Sequence, residues 1–360
     1  MALVVRYAVY GYWEGPWMAL SSIFKRWKPV IGLGMVALLF GFAFWCSTRA
    51  VHAQQNASQE LDVVRVRPNF YVIAGAGGNI AVETGPEGTI LVNAGTAEAA
   101  GRVAAAIKKV TDQPIRYIID TSADRDFAEG NAALSKAGRN IMAAGTEPLS
   151  EFERNAANEY PATIVSTEQI LTQRSAPEGQ KAPYPSESWP QETFPDRRKD
   201  YYMNHDGIQI YREPPAHSDS DSIVLFRGSD VVVTGDIIDA NRFPVIDIAR
   251  GGSIQGEIEA LNQVIDLSLR PMPFVFAEGG TIVVPGHGRI YDRQDAVEYR
   301  DMVVTIRDII QDMIQRGMTL PQIKEASPAK AYEREYGAKS GSWTTDDFVE
   351  AVYRGLTGKK

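Results

Sequence analysis

From Leu61 onward the chain breaks into short apolar runs divided by turn residues. Residues 61–66, 70–74, 80–83 and 89–92 are rich in β-branched and aromatic side chains, with Pro, Gly or Asn between them, and predict four strands. Gly75 to Gly78 joins two of these strands and has no helix or lysine after it, so it reads as a hairpin turn rather than a phosphate loop. The period then changes. Val103, Ile107 and Val110 fall on one stripe and predict a helix over 97–110. A strand over 115–119 leads into the polar stretch 121–131, and a helix continues through Ala137. A strand over 140–143 and a helix over 147–158 follow. Residues 171–200 carry Pro177, Pro183, Pro185, Pro190 and Pro195 and read as one long connection, either a lid-like binding element or a plain surface insertion. Strands resume at 207–211, 222–226 and 230–234, then a helix over 255–267 and a strand over 281–284. Helices over 296–316, 320–325 and 346–356 finish the chain. Strands thus come in two batches, each followed by helices, which predicts two packed sheets with helices outside.

The first 53 residues break this pattern. Lys25-Arg26-Trp27-Lys28 is a positive cluster, and 29–46 is an uncharged, mostly apolar run. Val51-His52-Ala53 then places small residues where a signal peptidase reads them. The expectation is a signal peptide cleaved after Ala53, with an uncleaved membrane anchor as the alternative. Residues 54–60 read as a flexible lead-in, 61–320 as the main domain and 321–360 as a helical extension packed on it. The single cysteine, Cys46, lies in the first segment, so a mature chain needs no disulfide. The location expected is periplasmic or secreted, or membrane-anchored.

With 360 residues and 44% hydrophobic content the chain can bury a sizeable core. Its formal charge of −8, without a basic run, excludes nucleic acid as a partner and leaves a small-molecule substrate. Past residue 53 only His205, His217 and His287 remain. His205 sits in a strand-to-turn segment and reads as structural. His217 opens an Asp-rich turn, and His287 lies between two glycines at a strand end. Asp126 and Asp236 occupy matching settings. Imidazole with carboxylate suits zinc, iron or manganese better than calcium or magnesium.

The order of these turns resembles the metallo-β-lactamase superfamily over roughly residues 61–320. Asn93-Ala94-Gly95 stands where the family has Asp-x-Gly. Thr121 to Asn131 stands for Thr-His-x-His-x-Asp-His with a later Gly-Asn. His217, Gly235-Asp236 and Pro285-Gly286-His287-Gly288 match the later motifs, and 243–247 and 251–253 also resemble family members. The resemblance implies an α+β fold, a four-layer αββα sandwich, with the site at the sheet edges. It also exposes departures. Three histidine positions are Ser122, Asp124 and Phe127, and the supporting aspartate is Asn93. The first metal pocket then keeps only Ser122, Asp124 and His217, whereas the second keeps Asp126, Asp236 and His287. The expectation is a hydrolase with one divalent cation, zinc ahead of iron or manganese, on Asp126, Asp236 and His287. Asp124 and His217 would add a fourth ligand or accept a proton from water. The alternative is a binding protein that keeps the fold and has lost both metal and chemistry.

Overall fold

The computed structural model describes residues 60–140, 160–177, 179–271 and 279–358, and Leu61–Lys360 forms one compact unit. Apart from Asn140, the strand expected over 140–143 and the helix over 147–158 lie outside the described residues, as does the whole N-terminal segment. No helix among the described residues is long and apolar enough to cross a membrane.

The first sheet runs β1 (Asp62–Arg67), β2 (Phe70–Ala76), β3 (Gly78–Gly85), β4 (Gly88–Val92), β5 (Ile115–Ile119), β6 (Thr163–Thr167) and β7 (Glu192–Phe194), in that spatial order. The first four strands pair antiparallel and the last four parallel. The second sheet has the order β12 (Ile282–His287), β11 (Val231–Asp239), β10 (Ser222–Phe226), β9 (Asp206–Arg212), β8 (Arg198–Met203), and β11 and β12 are parallel. Strands β4 and β10 are buried along their whole length, which explains why both read as unbroken apolar runs.

Three apolar clusters define four layers. Phe70, Val72, Ile90 and Val92 of the first sheet meet Ile208, Ile210, Val224 and Val233 of the second. The outer face of the first sheet packs on helices α1 (Ala100–Val110) and α3 (Asn131–Ala137), through residues such as Val103, Ile107 and Leu134, and the short α2 (Arg125–Ala128) lies against β3. The outer face of the second carries α5 (Ile254–Leu267), α6 (Arg293–Gln315), α7 (Leu320–Ala326), α8 (Glu333–Tyr336) and α9 (Thr345–Thr357). Phe348 of α9 stacks on Phe243 with ring centroids 5.0 Å apart. The architecture is therefore an α+β sandwich of two mixed sheets between helical layers.

The connection over 171–200 is not one long loop. It starts inside α4 (Glu168–Arg174), holds a 3₁₀ turn at Ser186–Ser188 and the strand β7, and ends in β8. Its prolines bound short elements and do not mark a structureless lid. His205 and Asn204, with φ of 65° and 55°, form the tight turn of the β8–β9 hairpin.

Candidate metal centre

The C-terminal parts of parallel strands β4, β5, β11 and β12, with the loops after β4 and β5, meet at one edge of the sandwich. Asn93, just past β4, takes φ 69°, a conformation Asn tolerates better than most residues. Its Oδ1 accepts from Thr121 N at 3.1 Å and Thr121 Oγ1 at 2.8 Å. Ser222 N donates to Thr121 O at 3.0 Å, so the loop after β5 is stitched to both sheets. At its base Asn131 Nδ2 donates to Asp120 Oδ2 at 2.7 Å. The substituted positions take up local work. Ser122 Oγ accepts from Asp124 N at 3.2 Å. Phe127 is fully buried, edge-on to His287 with centroids 5.3 Å apart.

Asp236 follows Gly235 where the β11–β12 register shifts. Gly235 has φ 54°, and a Cβ there would run into the Thr121 hydroxyl, so this close approach requires glycine. Asn79 Nδ2 donates to Pro285 O at 2.9 Å and Gly288 O at 3.0 Å and fixes the turn that carries His287.

These supports bring Asp124, His217, Asp236, His287 and Asp126 into one file. His217 Nε2 is 2.8 Å from Asp124 Oδ2 and 3.8 Å from Asp236 Oδ2. His287 Nε2 is 3.8 Å from Asp236 Oδ1 and 3.0 Å from Asp126 Oδ2. Among the described residues, Asp124, His217 and Asp236 form the one group of three whose ligand atoms all lie within 4.8 Å of one another. That trio is not the expected Asp126, Asp236 and His287; Asp126 lies 3.0 Å from His287 Nε2 and reaches the group only through it. The Nδ1 of His217 lies 2.7 Å from Val245 O, which can only accept, so that nitrogen carries a proton. Nε2 then faces a carboxylate and needs either a second proton or a cation beside it.

Sequence reasoning missed two arginines. Arg250, at the end of the 3₁₀ turn Ile248–Arg250, donates Nη1 to Asp124 Oδ1 and Nη2 to Asp124 Oδ2, the latter at 3.0 Å. Its Nη2 is 3.1 Å from His217 Nε2, and its Nε donates to Asp247 Oδ2 at 2.7 Å. The signal was faint: Asp247 and Arg250 are three apart, but Asp124 is 126 positions away. Arg174 is fully buried and donates to Ala123 O at 3.2 Å and Ala128 O at 3.0 Å, and so holds the loop bearing Asp124 and Asp126.

The electrostatics follow from this crowding. Burial alone would raise the Asp124 carboxyl, but hydrogen bonds from His217 and Arg250 overcome it and hold it below the usual carboxylate range. Burial, with the charges of Asp124 and Asp126, pushes Asp236 up to about 7, although both imidazoles oppose this. His217 and His287 are both raised; burial works against this, but the charge of Asp236 and the bonded Asp124 or Asp126 prevail. Asp236 is hydrogen-bonded to neither histidine, and its Oδ2 is closed to solvent without a partner. A partly buried carboxylate left open between two imidazoles fits a divalent cation, and the mixed N/O donor set suits zinc, iron or manganese.

The sequence profile described as "Metallo-beta-lactamase superfamily" matches residues 67–288, more than half the chain. The chain belongs to the metallo-beta-lactamase superfamily. Members of this superfamily usually bind divalent metals, and the Asp–His–Asp group stands where the motifs of this member converge. The stereoselective inverting sec-alkylsulfatase Pisa1 from Pseudomonas sp. has a similar fold, with TM-score 0.56 and 13% identity, over 83% of this chain and 51% of that one. A double mutant of the same sec-alkylsulfatase gives TM-score 0.56 and 12% identity, over 86% and 52%. A metallo-beta-lactamase from Pontibacter korlensis gives TM-score 0.48 and 15% identity, over 68% and 98%. At such identities the likeness is one of fold, and the superfamily member described here spans about half the length of the alkylsulfatase chains. No curated protein matches the chain.

Proposed function

We propose that this superfamily member is a secreted hydrolase that works with one divalent cation, zinc ahead of iron or manganese, on a small ester, thioester, lactone or amide. The observation that carries the reading is Asp236: its side chain is only 12% exposed, makes no hydrogen bond and lies 3.8 Å from each of two imidazoles. Asp236, His287 and Asp126 would hold the ion. A cation bound there supplies Lewis acidity toward a carbonyl or ester oxygen and toward water. The chain's own residues do the rest. Asn79 and Gly235 fix the positions of His287 and Asp236. Asp124 and His217, next in the file and already paired with each other and with Arg250, hold the orientation of that edge of the centre. Two carboxylates offset more of the ion's charge than imidazoles do, so turnover should be slow at neutral pH and rise with pH. In this reading residues 1–53 direct export, or anchor the enzyme to a membrane facing its substrate.

Elemental analysis of the purified protein beside an Asp236→Ala, His287→Ala variant tests this. About one equivalent of zinc, iron or manganese in the parent and none in the variant is the expected result. A panel of esters, thioesters and lactones, with an alkyl sulfate included, should show hydrolysis that a chelator abolishes. A parent that holds no metal, and whose melting temperature is indifferent to added zinc, iron or manganese, sinks the proposal. That outcome favours a binding protein on the same fold, a reading to which the inward-facing Ser122 and Phe127 lend support.

A further inference from the structure

We propose that the guanidinium of Arg250 is a built-in cation that closes the Asp124–His217 side of the centre to a metal ion and so limits the chain to a single ion. This rests on the single-cation reading above and explains why one side of the centre is left for a metal.

Three atoms carry the argument. Asp124 Oδ2, His217 Nε2 and Arg250 Nη2 form a nearly equilateral triangle with sides of 2.8, 3.0 and 3.1 Å. The guanidinium therefore lies against the same two atoms that a metal on this side would need. It also binds the second oxygen of Asp124 through Nη1, so that carboxylate faces the arginine with both oxygens. Arg–carboxylate pairs of this two-pronged kind are strong and hold one orientation.

The arginine is held in place by its surroundings. Asp247 anchors Nε, and Asp247 itself caps the turn through Arg250 N at 3.0 Å. Asp247 N donates to His217 O at 2.8 Å, so the segment bearing the arginine is bonded to the segment bearing the histidine. Gly251 follows in a left-handed conformation at φ 87° and ends the turn. The position is thus fixed by backbone as well as side chain. A lone charge of fixed sign replaces an exchangeable ion, and it repels any second cation that approaches the same acceptors.

The far side differs. Among the described residues, His287, Asp126 and Asp236 have no arginine or lysine as an ion-pair partner. Asp236 contributes to both sides, so the arginine affects only one of its two imidazole neighbours directly.

Zinc stoichiometry, measured by equilibrium dialysis with elemental analysis, tests this on the parent, Arg250→Ala and Arg250→Lys. The parent should take one equivalent and Arg250→Ala two. The added equivalent should disappear in the double variant Arg250→Ala, Asp124→Ala. Arg250→Lys, which keeps a charge in place, should stay at one. If folded Arg250→Ala gains nothing, the inference is overturned while the hydrolase reading stands; if the parent already takes two, the inference and the single-cation count fail together. If the parent takes none and Arg250→Ala takes one, the arginine still excludes a metal and the hydrolase reading is the one that fails. Should Arg250→Ala fail to fold, recovery of its circular dichroism on refolding with zinc supports the inference, and no recovery overturns it.

Discussion

The two sides of this centre share one carboxylate and differ in what neutralises it. On one side Asp124 and His217 are locked to Arg250, a covalent part of the chain that arrives with its charge. On the other, Asp126 and His287 meet at 3.0 Å with no guanidinium beside them among the described residues, and the shared Asp236 bonds to neither imidazole. On the first side both oxygens of Asp124 already have donors. The second side has only the single Asp126–His287 contact, and the carboxyl shared by both sides, Asp236, pushed up to about 7, has no hydrogen bond. The difference separates structural charge, which strengthens the fold, from charge that awaits a ligand.

That separation can be broken in measurable ways. The largest effect is expected at the shared residue. Asp236→Ala should lose the bound metal and reduce hydrolysis by at least about 100-fold, since even residues that only orient ligands account for 10–100-fold. Metal content and rate, measured on one preparation, check this. Next comes Arg174→Met, which removes donors from the carbonyls of Ala123 and Ala128 and so strikes both sides at once. It should cost about 3 kcal/mol in urea unfolding and lower metal affinity too. A third pair of variants sharpens the contrast. Asp124→Ala leaves Arg250 and His217 facing each other; discounted for partial exposure, it should destabilise by about 2 kcal/mol with or without metal. Asp126→Ala breaks an ion pair one-third exposed on the acid side, and without metal should cost no more than about 1 kcal/mol. Equal losses in chelator would contradict the distinction between the two sides.

A control lies away from both. Glu83 of β3 is fully buried without a hydrogen-bond partner for either oxygen, and burial, with the charge of Asp206, raises its carboxyl to about 8. The folded chain then binds one proton more than the unfolded chain between about pH 4.5 and 8. Stability should fall as pH rises through that window, by at most about 1.4 kcal/mol per unit, and level off above it. Glu83→Gln should flatten this slope and leave metal content unchanged. Unfolding midpoints at several pH values, read beside those of Asp236→Ala, distinguish the two sources of pH dependence.

The fold was legible because its signals are local. Runs such as Ser222–Phe226 are buried throughout and bounded by turn residues, and the glycines before Asp236 and His287 mark backbone that no other residue could occupy closely. The positions of the candidate ligands could be read from the same turns. What lay hidden depends on contacts across sequence. Arg250 meets Asp124 over 126 residues, and Arg174 reaches back about 50 to the site loop, so neither spacing leaves a trace in the chain. The stretch over 171–200 misled for a related reason. Its prolines signal breaks, but the parallel pairing of β7 on β6 is set by a neighbour and not by the run itself.

Phe127 gives the centre a direction in its history. Methyl groups at Gly78 or Gly286 would overlap its ring, so the surrounding backbone has closed to its shape. Put a histidine back there alone, and a smaller, polar ring enters a fully buried space with no donor or acceptor arranged for it, at about 1–3 kcal/mol. The same holds at Ser122, whose hydroxyl now serves its own turn. Each reversal by itself is a loss, and only several together could rebuild an ion site around them. The present arrangement therefore resists change one residue at a time, because Phe127 and the glycines around it fit only each other.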